Sequence, residues 1–340
     1  MKNIYGLSLA DMEEYFLSIG SKKFHAKQLF DWLYIKRISD FSQASNLSKD
    51  LLTKVGTDYS CSKLKIVEIQ KDEDVRKYLF ELEDGEHIEA VLMLHDFGNS
   101  VCVSSQVGCN MGCKFCESGR RKKVRNLEVY EMVLQILMIE EEYGNRISHV
   151  VVMGIGEPFD NYDNVMKFFT ILNDPFGLAI GARHLTVSTC GVVPKIKEFA
   201  KFPLQVNLAI SLHAPNNKIR NQIMPINKVY PLEVLMSALK DYYNKTNRRL
   251  TFEYILLEGV NDSEECAKEL CELVKGMNCY INLIPYNETN NIEFKRTKIV
   301  QIMRFYDILK KNKLTVTIRK EFGGKISAAC GQLRSKKEEL

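Results

Sequence analysis

The chain has 340 residues, 45% of them hydrophobic and 26% charged, with a formal net charge of +4. That apolar content excludes a disordered chain and allows one large core, while the small net charge does not by itself establish a nucleic-acid partner. No apolar run is long enough to span a bilayer, and the opening MKNIYGLSLADMEEYF carries early acidic residues without an apolar signal core, so a cytoplasmic protein with no membrane partner is expected.

Residues 1–60 predict a small helical accessory domain. Apolar residues recur at helical spacing over 9–19 and 26–37, and Lys22, Lys23, Lys27, Lys36 and Arg37 make its surface basic. From Cys61 the pattern changes to strand alternation, in LKIVEI, KYLFELE and HIEAVLML. The Asp84-Gly85 pair between the last two runs predicts a β-hairpin, placed as a linker over 61–95.

Over 96–340, apolar β-branched runs alternate with amphipathic helices. SVCVSSQV, ISHVVVMGIGEP, HLTVSTCG, QVNLAISLHA, LTFEYILLEGV, CYINLIPYN and LTVTIRKEF predict strands, with helical patterns between them. Such alternation predicts an α/β fold with a parallel sheet covered on both faces. Six or seven units fit a full or partial (β/α) barrel. Ligands of parallel α/β folds gather at the carboxyl ends of strands. Reactive residues fall there: Cys109 after the first run, Gly156-Glu157 after the second, Ser188 near the end of the third, Ser211 to His213 at the fourth, and Asn287 at the sixth.

Three of the ten cysteines fall within GCNMGCKFCESG, spaced C-x3-C-x2-C as Cys109, Cys113 and Cys116. Three thiolates can hold three irons of a [4Fe–4S] cube and leave the fourth iron open. The amine and carboxylate of S-adenosylmethionine can chelate that iron, and one electron then cleaves a C–S bond to give a 5′-deoxyadenosyl radical. The competing reading is a structural zinc site with His149 or His184 as fourth ligand, although zinc sites usually pair two C-x2-C elements. The glycines of GIGEP permit close approach of a ligand to backbone, and Glu157 could accept an ammonium group.

In order along the chain stand CVSSQVGCNMGCKFC, VVVMGIGEPFDN, STCGVVP, LAISLHAPN, MPINK, GVND, NLIPYN and AACGQL. With these motifs the chain resembles the radical-SAM rRNA adenine methyltransferases of the RlmN type, with the Cfr-type C8 methyltransferases as close relatives. The resemblance implies a partial radical-SAM barrel over 96–340 with a catalytic-cysteine tail, and an RNA-binding role for domain 1–60. It implies methylation at C2 of an adenosine in the peptidyl-transferase region of 23S rRNA, with tRNA as a second substrate. It further implies one [4Fe–4S] cluster, two molecules of S-adenosylmethionine per turnover, a flavodoxin- or ferredoxin-like electron donor, and a monomer.

The same resemblance assigns roles. Cys330 takes a methyl group and is activated as a carbon radical that adds to the adenine. Cys102 then attacks the sulfur of Cys330, releasing the product through a transient disulfide, and Glu89 removes a proton. Gly156, Glu157, Ser188, Ser211, Leu212, His213 and Asn287 contact S-adenosylmethionine. Pro158 after Glu157, and Leu283-Ile284-Pro285, match the C2 type better than the C8 type. Two positions depart from the family pattern: the charged loop Glu117 to Lys123, and Asn217 where an acidic residue is frequent.

Cys61, Cys190, Cys266, Cys271 and Cys279 read as structural. The basic cluster Arg120 to Lys123 with Arg125, together with the N-terminal domain, is the expected RNA surface. A flipped-out adenine is expected, since its C2 edge must reach the Cys330 methyl group. Other readings from different classes are a radical-SAM enzyme of another reaction, such as a glycyl-radical activator, and a zinc-stabilised RNA-binding module.

Overall fold

Three helices open the chain, α1 (Leu9–Ser18), α2 (Lys23–Tyr34) and α3 (Lys49–Asp58). The computed structural model describes residues 1–288 and 294–319. Ser8 starts α1 by a reciprocal cap: its hydroxyl accepts from the Asp11 amide, and the Asp11 carboxylate accepts from the Ser8 amide. Two amides that the helix would leave unpaired are thereby satisfied. Phe16, Leu29, Phe30 and Leu33 are fully buried between these helices. Buried side chains of this size each contribute about 1.5–3 kcal/mol. Their apolar cluster is continuous with the main core, which includes Leu134, Val187 and Phe252. Ion pairs Arg37–Glu140 and Lys167–Asp11 also join the helical unit to the rest.

Ten strands form one sheet whose spatial order follows the chain. They are β1 (Lys65–Asp72), β2 (Val75–Glu81), β3 (His87–His95), β4 (Gly98–Val103), β5 (Ile147–Val152), β6 (Leu185–Thr189), β7 (Asn207–Ser211), β8 (Leu250–Leu256), β9 (Cys279–Pro285) and β10 (Thr315–Ile318). Pairing from β1 to β4 is antiparallel, and from β4 to β10 parallel. The Asp84-Gly85 turn joins β2 to β3, with Gly85 at φ +84°, a conformation that glycine adopts without steric cost. The hairpin segment is thus hydrogen-bonded through β3 to the first parallel strand rather than set apart from the sheet.

Helices α4 (Val129–Tyr143), α5 (Tyr162–Asn173), α6 (Val193–Phe199), α7 (Asn217–Ile223), α8 (Leu232–Thr246), α9 (Glu264–Leu273) and α10 (Ile299–Lys311) complete the alternation. The architecture is α/β, a partial barrel of parallel strands with an antiparallel extension and an N-terminal helical unit. Parallel strands connected by helices all point one way, so their carboxyl ends make one mouth. Among the described residues, no helix is long and apolar enough to cross a membrane.

Candidate active site

The cysteine loop follows β4 and is folded by its own backbone. The Cys109 amide donates to the Arg121 carbonyl (2.9 Å), Val124 to Val107 (2.8 Å), and Cys116 to Cys113 (3.1 Å). Gly108 has φ +72°, and a Cβ there would stand 2.3 Å from the Lys122 carbonyl oxygen, so the return strand of the loop passes only because position 108 has no side chain. The Lys114 amide donates to the Ile223 carbonyl (3.0 Å), tying the loop to α7.

Cys109, Cys113 and Cys116 line one cavity. Burial pushes the Cys109 thiol up to about 12, and raises Cys113 and Cys116 as well; the mutual charge of the three adds to the effect for Cys109 and Cys113. Among the described residues no three His, Cys, Asp or Glu side chains converge as ligands of a single metal ion. His149 and His184, the alternative zinc ligands, lie elsewhere: their rings stack at 4.3 Å, and Phe97 packs on His149 at 5.4 Å, at the amino-terminal side of the sheet. Neither lines the cavity.

The opposite wall is built by the GIGEP segment after β5. Gly154 donates to the Val103 carbonyl (3.0 Å), and a Cβ there would meet that oxygen at 2.7 Å. The Ile155 amide donates to Ser104 Oγ (2.9 Å) and the Glu157 amide to Gln106 Oε1 (2.8 Å). Gly156 sits at φ +111°. Glu157 is buried; its Oε1 accepts from the Phe159 amide (3.0 Å) and its Oε2 from the Cys190 amide (2.8 Å). Burial raises its carboxyl above the ordinary range, opposed by these hydrogen bonds.

Ser188 and Ser211, at the ends of β6 and β7, bring their hydroxyls to 3.4 Å of each other. His213 adopts φ +57°, and Asn261 Nδ2 donates to its carbonyl (2.7 Å). Its Nδ1 accepts from the Ile255 amide (3.0 Å), which leaves the ring proton on Nε2. Burial, and then the nearby Arg220 charge, push His213 down to about 3, so the ring is neutral at ordinary pH.

Gly156, Glu157, Ser188, Ser211 and His213 therefore share one cavity with the three cysteines. Leu212 is fully buried and Asn287 lies half-buried beyond β9, both outside that lining. Cys102 is on β4 opposite Val91 of β3, and Glu89 lies two residues before Val91, so both point to the same face of the sheet. Cys102 packs in a small apolar cluster with Val91, Met93 and Ile155, against Met153, which also lines the cavity. Glu89 is buried in an ion pair with Lys77 (3.3 Å), itself only 5% exposed. Cys330 lies outside the described residues, and among those described no disulfide is formed.

Several cavity residues escape a reading by sequence, Cys190 and Glu253 among them. Cys190, read as structural, lines the cavity, and so does Glu253 of β8. Glu253 is buried and accepts from Asn282 Nδ2 (3.0 Å); a charged residue within the apolar run LTFEYIL was its available signal. The charged loop also differs from expectation. Arg120 pairs with the buried Glu117 (3.3 Å), Arg121 with Glu86 (2.8 Å) and Lys123 with Asp160 (3.9 Å), while Arg125 pairs with Asp84 (2.6 Å) and Glu131 (2.7 Å). Arg121 and Arg125 tie the loop to the hairpin, and Lys123 ties it to the segment after β5. Asn217, the other departure, donates to Glu233 (2.7 Å) and accepts from the Leu232 amide (2.9 Å), a linking role at the start of α8.

Residues 103–271 match the model of the radical SAM superfamily, and residues 2–59 that of the ribosomal RNA large subunit methyltransferase N-terminal domain. A probable dual-specificity RNA methyltransferase RlmN of Spiroplasma citri is 53% identical over 99% of this chain and 99% of its own length. The chain belongs to the RlmN family. The RlmN protein of Enterococcus faecalis is also 53% identical, over 98% of this chain and 96% of its own. The crystal structure of a radical SAM methyltransferase from Sphaerobacter thermophilus superposes with a TM-score of 0.93 at 41% identity, covering 98% of this chain and 99% of that one. As a member of the RlmN family the chain is a radical-SAM methyltransferase, an enzyme of a superfamily that works with a [4Fe–4S] cluster and S-adenosylmethionine.

Proposed function

We propose that this enzyme methylates C2 of an adenosine in 23S rRNA, and of an adenosine in tRNA, by a radical route through an S-methylated Cys330. The observation that carries the reading is one cavity that gathers Cys109, Cys113 and Cys116 with Glu157, Ser188, Ser211 and His213 at the strand ends, with Cys102 and Glu89 on the adjoining face of the sheet. C2 of adenine lies between two ring nitrogens and is not nucleophilic, so simple displacement cannot methylate it. When bound, the cluster and S-adenosylmethionine supply a carbon-centred radical there.

The family resemblance, together with the cavity lining, supports the following part for the protein's own residues. Cys109, Cys113 and Cys116 hold the cluster. Glu157, fixed by two amides, takes the cofactor's ammonium group. Gly156 admits the cofactor against backbone, and Ser188, Ser211, Leu212, His213 and Asn287 hold the rest. Neutral His213 offers Nε2–H as a donor. Cys330 carries the methyl group, Cys102 resolves the thioether adduct by attacking its sulfur, and the Glu89 carboxylate takes the ring proton. The N-terminal helical unit, 1–60, holds the RNA, and a flavodoxin- or ferredoxin-like protein supplies electrons.

The test joins two measurements. Mass spectrometry of the tryptic peptide containing Cys330 is expected to show one added methyl group. Digestion of rRNA and tRNA methylated in vitro is expected to yield 2-methyladenosine. A product of 8-methyladenosine would assign the Cfr-type reaction instead, and unimpaired methylation by Cys330→Ala would overturn the thioether route.

A further inference from the structure

Arg220 of α7 is fully buried, at 0% exposure. A guanidinium cannot shed its proton to escape burial, so its charge must be compensated where it stands. Its partners are all neutral. Nε donates to the Leu212 carbonyl (3.1 Å), Nη2 to the Cys190 (2.7 Å) and Ser211 (3.2 Å) carbonyls, and Nη1 to Asn227 Oδ1 (3.0 Å). No carboxylate pairs with it among the described residues.

These acceptors sit behind the cavity wall. Cys190 and Ser211 are at the ends of β6 and β7, and both line the cavity that the three cysteines share. Glu157 is a buried carboxylate on that wall, yet it grips the Cys190 amide while Arg220 grips the Cys190 carbonyl. Neutral acceptors immobilise the guanidinium and leave its full positive charge in place. A carboxylate partner would have cancelled the field. The Lys114 amide, next to Cys113 in the cysteine loop, donates to the Ile223 carbonyl at the end of α7 (3.0 Å), so the helix that carries Arg220 also holds that loop.

We propose that Arg220 is the fixed counter-cation of the iron–sulfur cluster, a positioning residue that stabilises the electron the cluster accepts and so raises its reduction potential. The inference rests on the reading of Cys109, Cys113 and Cys116 as cluster ligands. A cube held by three thiolates is anionic, and reduction adds one more negative charge. In a buried wall, a cation held in place favours the reduced form.

The test is a redox titration of the anaerobically reconstituted full chain, followed by electron paramagnetic resonance, first without and then with S-adenosylmethionine. It compares wild type with Arg220→Gln, Arg220→Lys and Asn227→Asp, each with iron and sulfide content measured. Arg220→Gln removes the charge. Asn227→Asp keeps the guanidinium and neutralises it locally. Both are expected to reduce the ratio of reduced to oxidised cluster about tenfold at a given potential, equal to about 59 mV for a one-electron couple. Arg220→Lys is expected to stay within about twofold of wild type. Wild-type potentials in both Arg220→Gln and Asn227→Asp overturn the proposal. A shift that appears only after S-adenosylmethionine is added also overturns it, and assigns Arg220 to the methionine carboxylate. If Arg220→Gln fails to load iron, Asn227→Asp decides alone. A wild-type chain that never develops an iron–sulfur chromophore defeats the cluster reading itself, an outcome distinct from an unchanged potential.

Discussion

Glu157 and Cys190 stand 33 positions apart in the chain, and the Glu157 carboxylate accepts the Cys190 amide at 2.8 Å while its second oxygen accepts the Phe159 amide at 3.0 Å. One buried side chain thus clamps the loop after β5 to the end of β6 and sets the cavity between them. Glu157→Gln keeps the shape but offers one acceptor oxygen and no charge. Binding of S-adenosylmethionine, measured by calorimetry on the reconstituted enzyme, is expected to weaken about tenfold to a hundredfold, the range of a lost charge-assisted contact of ~1.5–3 kcal/mol. An unchanged affinity would remove Glu157 from the ammonium site.

Gly154 is the position where β5 leaves the sheet against Val103 and Ser104. An added Cβ would lie 2.7 Å from the Val103 carbonyl oxygen and 2.8 Å from the Ser104 amide nitrogen, both backbone atoms that cannot swing aside. Gly154→Ala is therefore expected to lower stability by about 1–3 kcal/mol, the usual cost of overpacking, and to displace Glu157. Urea melts and cofactor binding measure the two effects, and a variant unchanged in both would show that the loop shifts freely.

His213 links folding to pH. Its folded-state value is near 3, against 6.5 for an ordinary histidine. Between these values the unfolded chain takes up a proton that the folded chain refuses, so this contribution is present in full above about pH 6.5 and is lost as pH falls toward 3. At pH 5 the loss is about 2 kcal/mol relative to pH 8. Thermal melts of wild type and His213→Gln at both pH values check this: the wild type is expected to lose more stability on acidification than the variant, and parallel losses would refute the assignment.

The Lys77–Glu89 pair is 3.3 Å apart with both residues nearly inaccessible, at 5% and 3% exposure. Removing one member of such a pair costs about 3–5 kcal/mol, because the charge that stays loses a buried ion-pair partner. Lys77→Met is expected to show that loss in urea melts. Adding Glu89→Leu to it is expected to recover a large part of the stability while abolishing methyl transfer. A double variant no more stable than Lys77→Met alone would mean that the pair is not coupled.

Much of this enzyme can be read along the chain because its chemistry is written in short local patterns. The C-x3-C-x2-C loop, the glycines before Glu157 and the serines at the ends of apolar runs keep their meaning wherever the strands go, since a strand's end and a loop's spacing are local properties. The Asp84-Gly85 turn is legible for the same reason. The basic segment from Arg120 to Arg125 shows its positive charge in the sequence but not its carboxylate partners: Glu86 and Asp84 reach it from the hairpin, and Asp160 from the segment after β5.

The sequence alone determined the α/β alternation, the cysteine triplet and the family motifs, all set by periodicity and spacing within a few residues. Only the tertiary structure decided which distant groups share one cavity. Cys190, read from sequence as an ordinary structural cysteine, became part of the cavity wall, and Arg220, in the short helix between the LAISLHAPN and MPINK motifs, became a buried cation held by neutral acceptors behind that wall. Their roles depend on which carbonyls, carboxylates and thiols meet across strand ends, and electrostatics in a dry interior acts through space rather than along the chain.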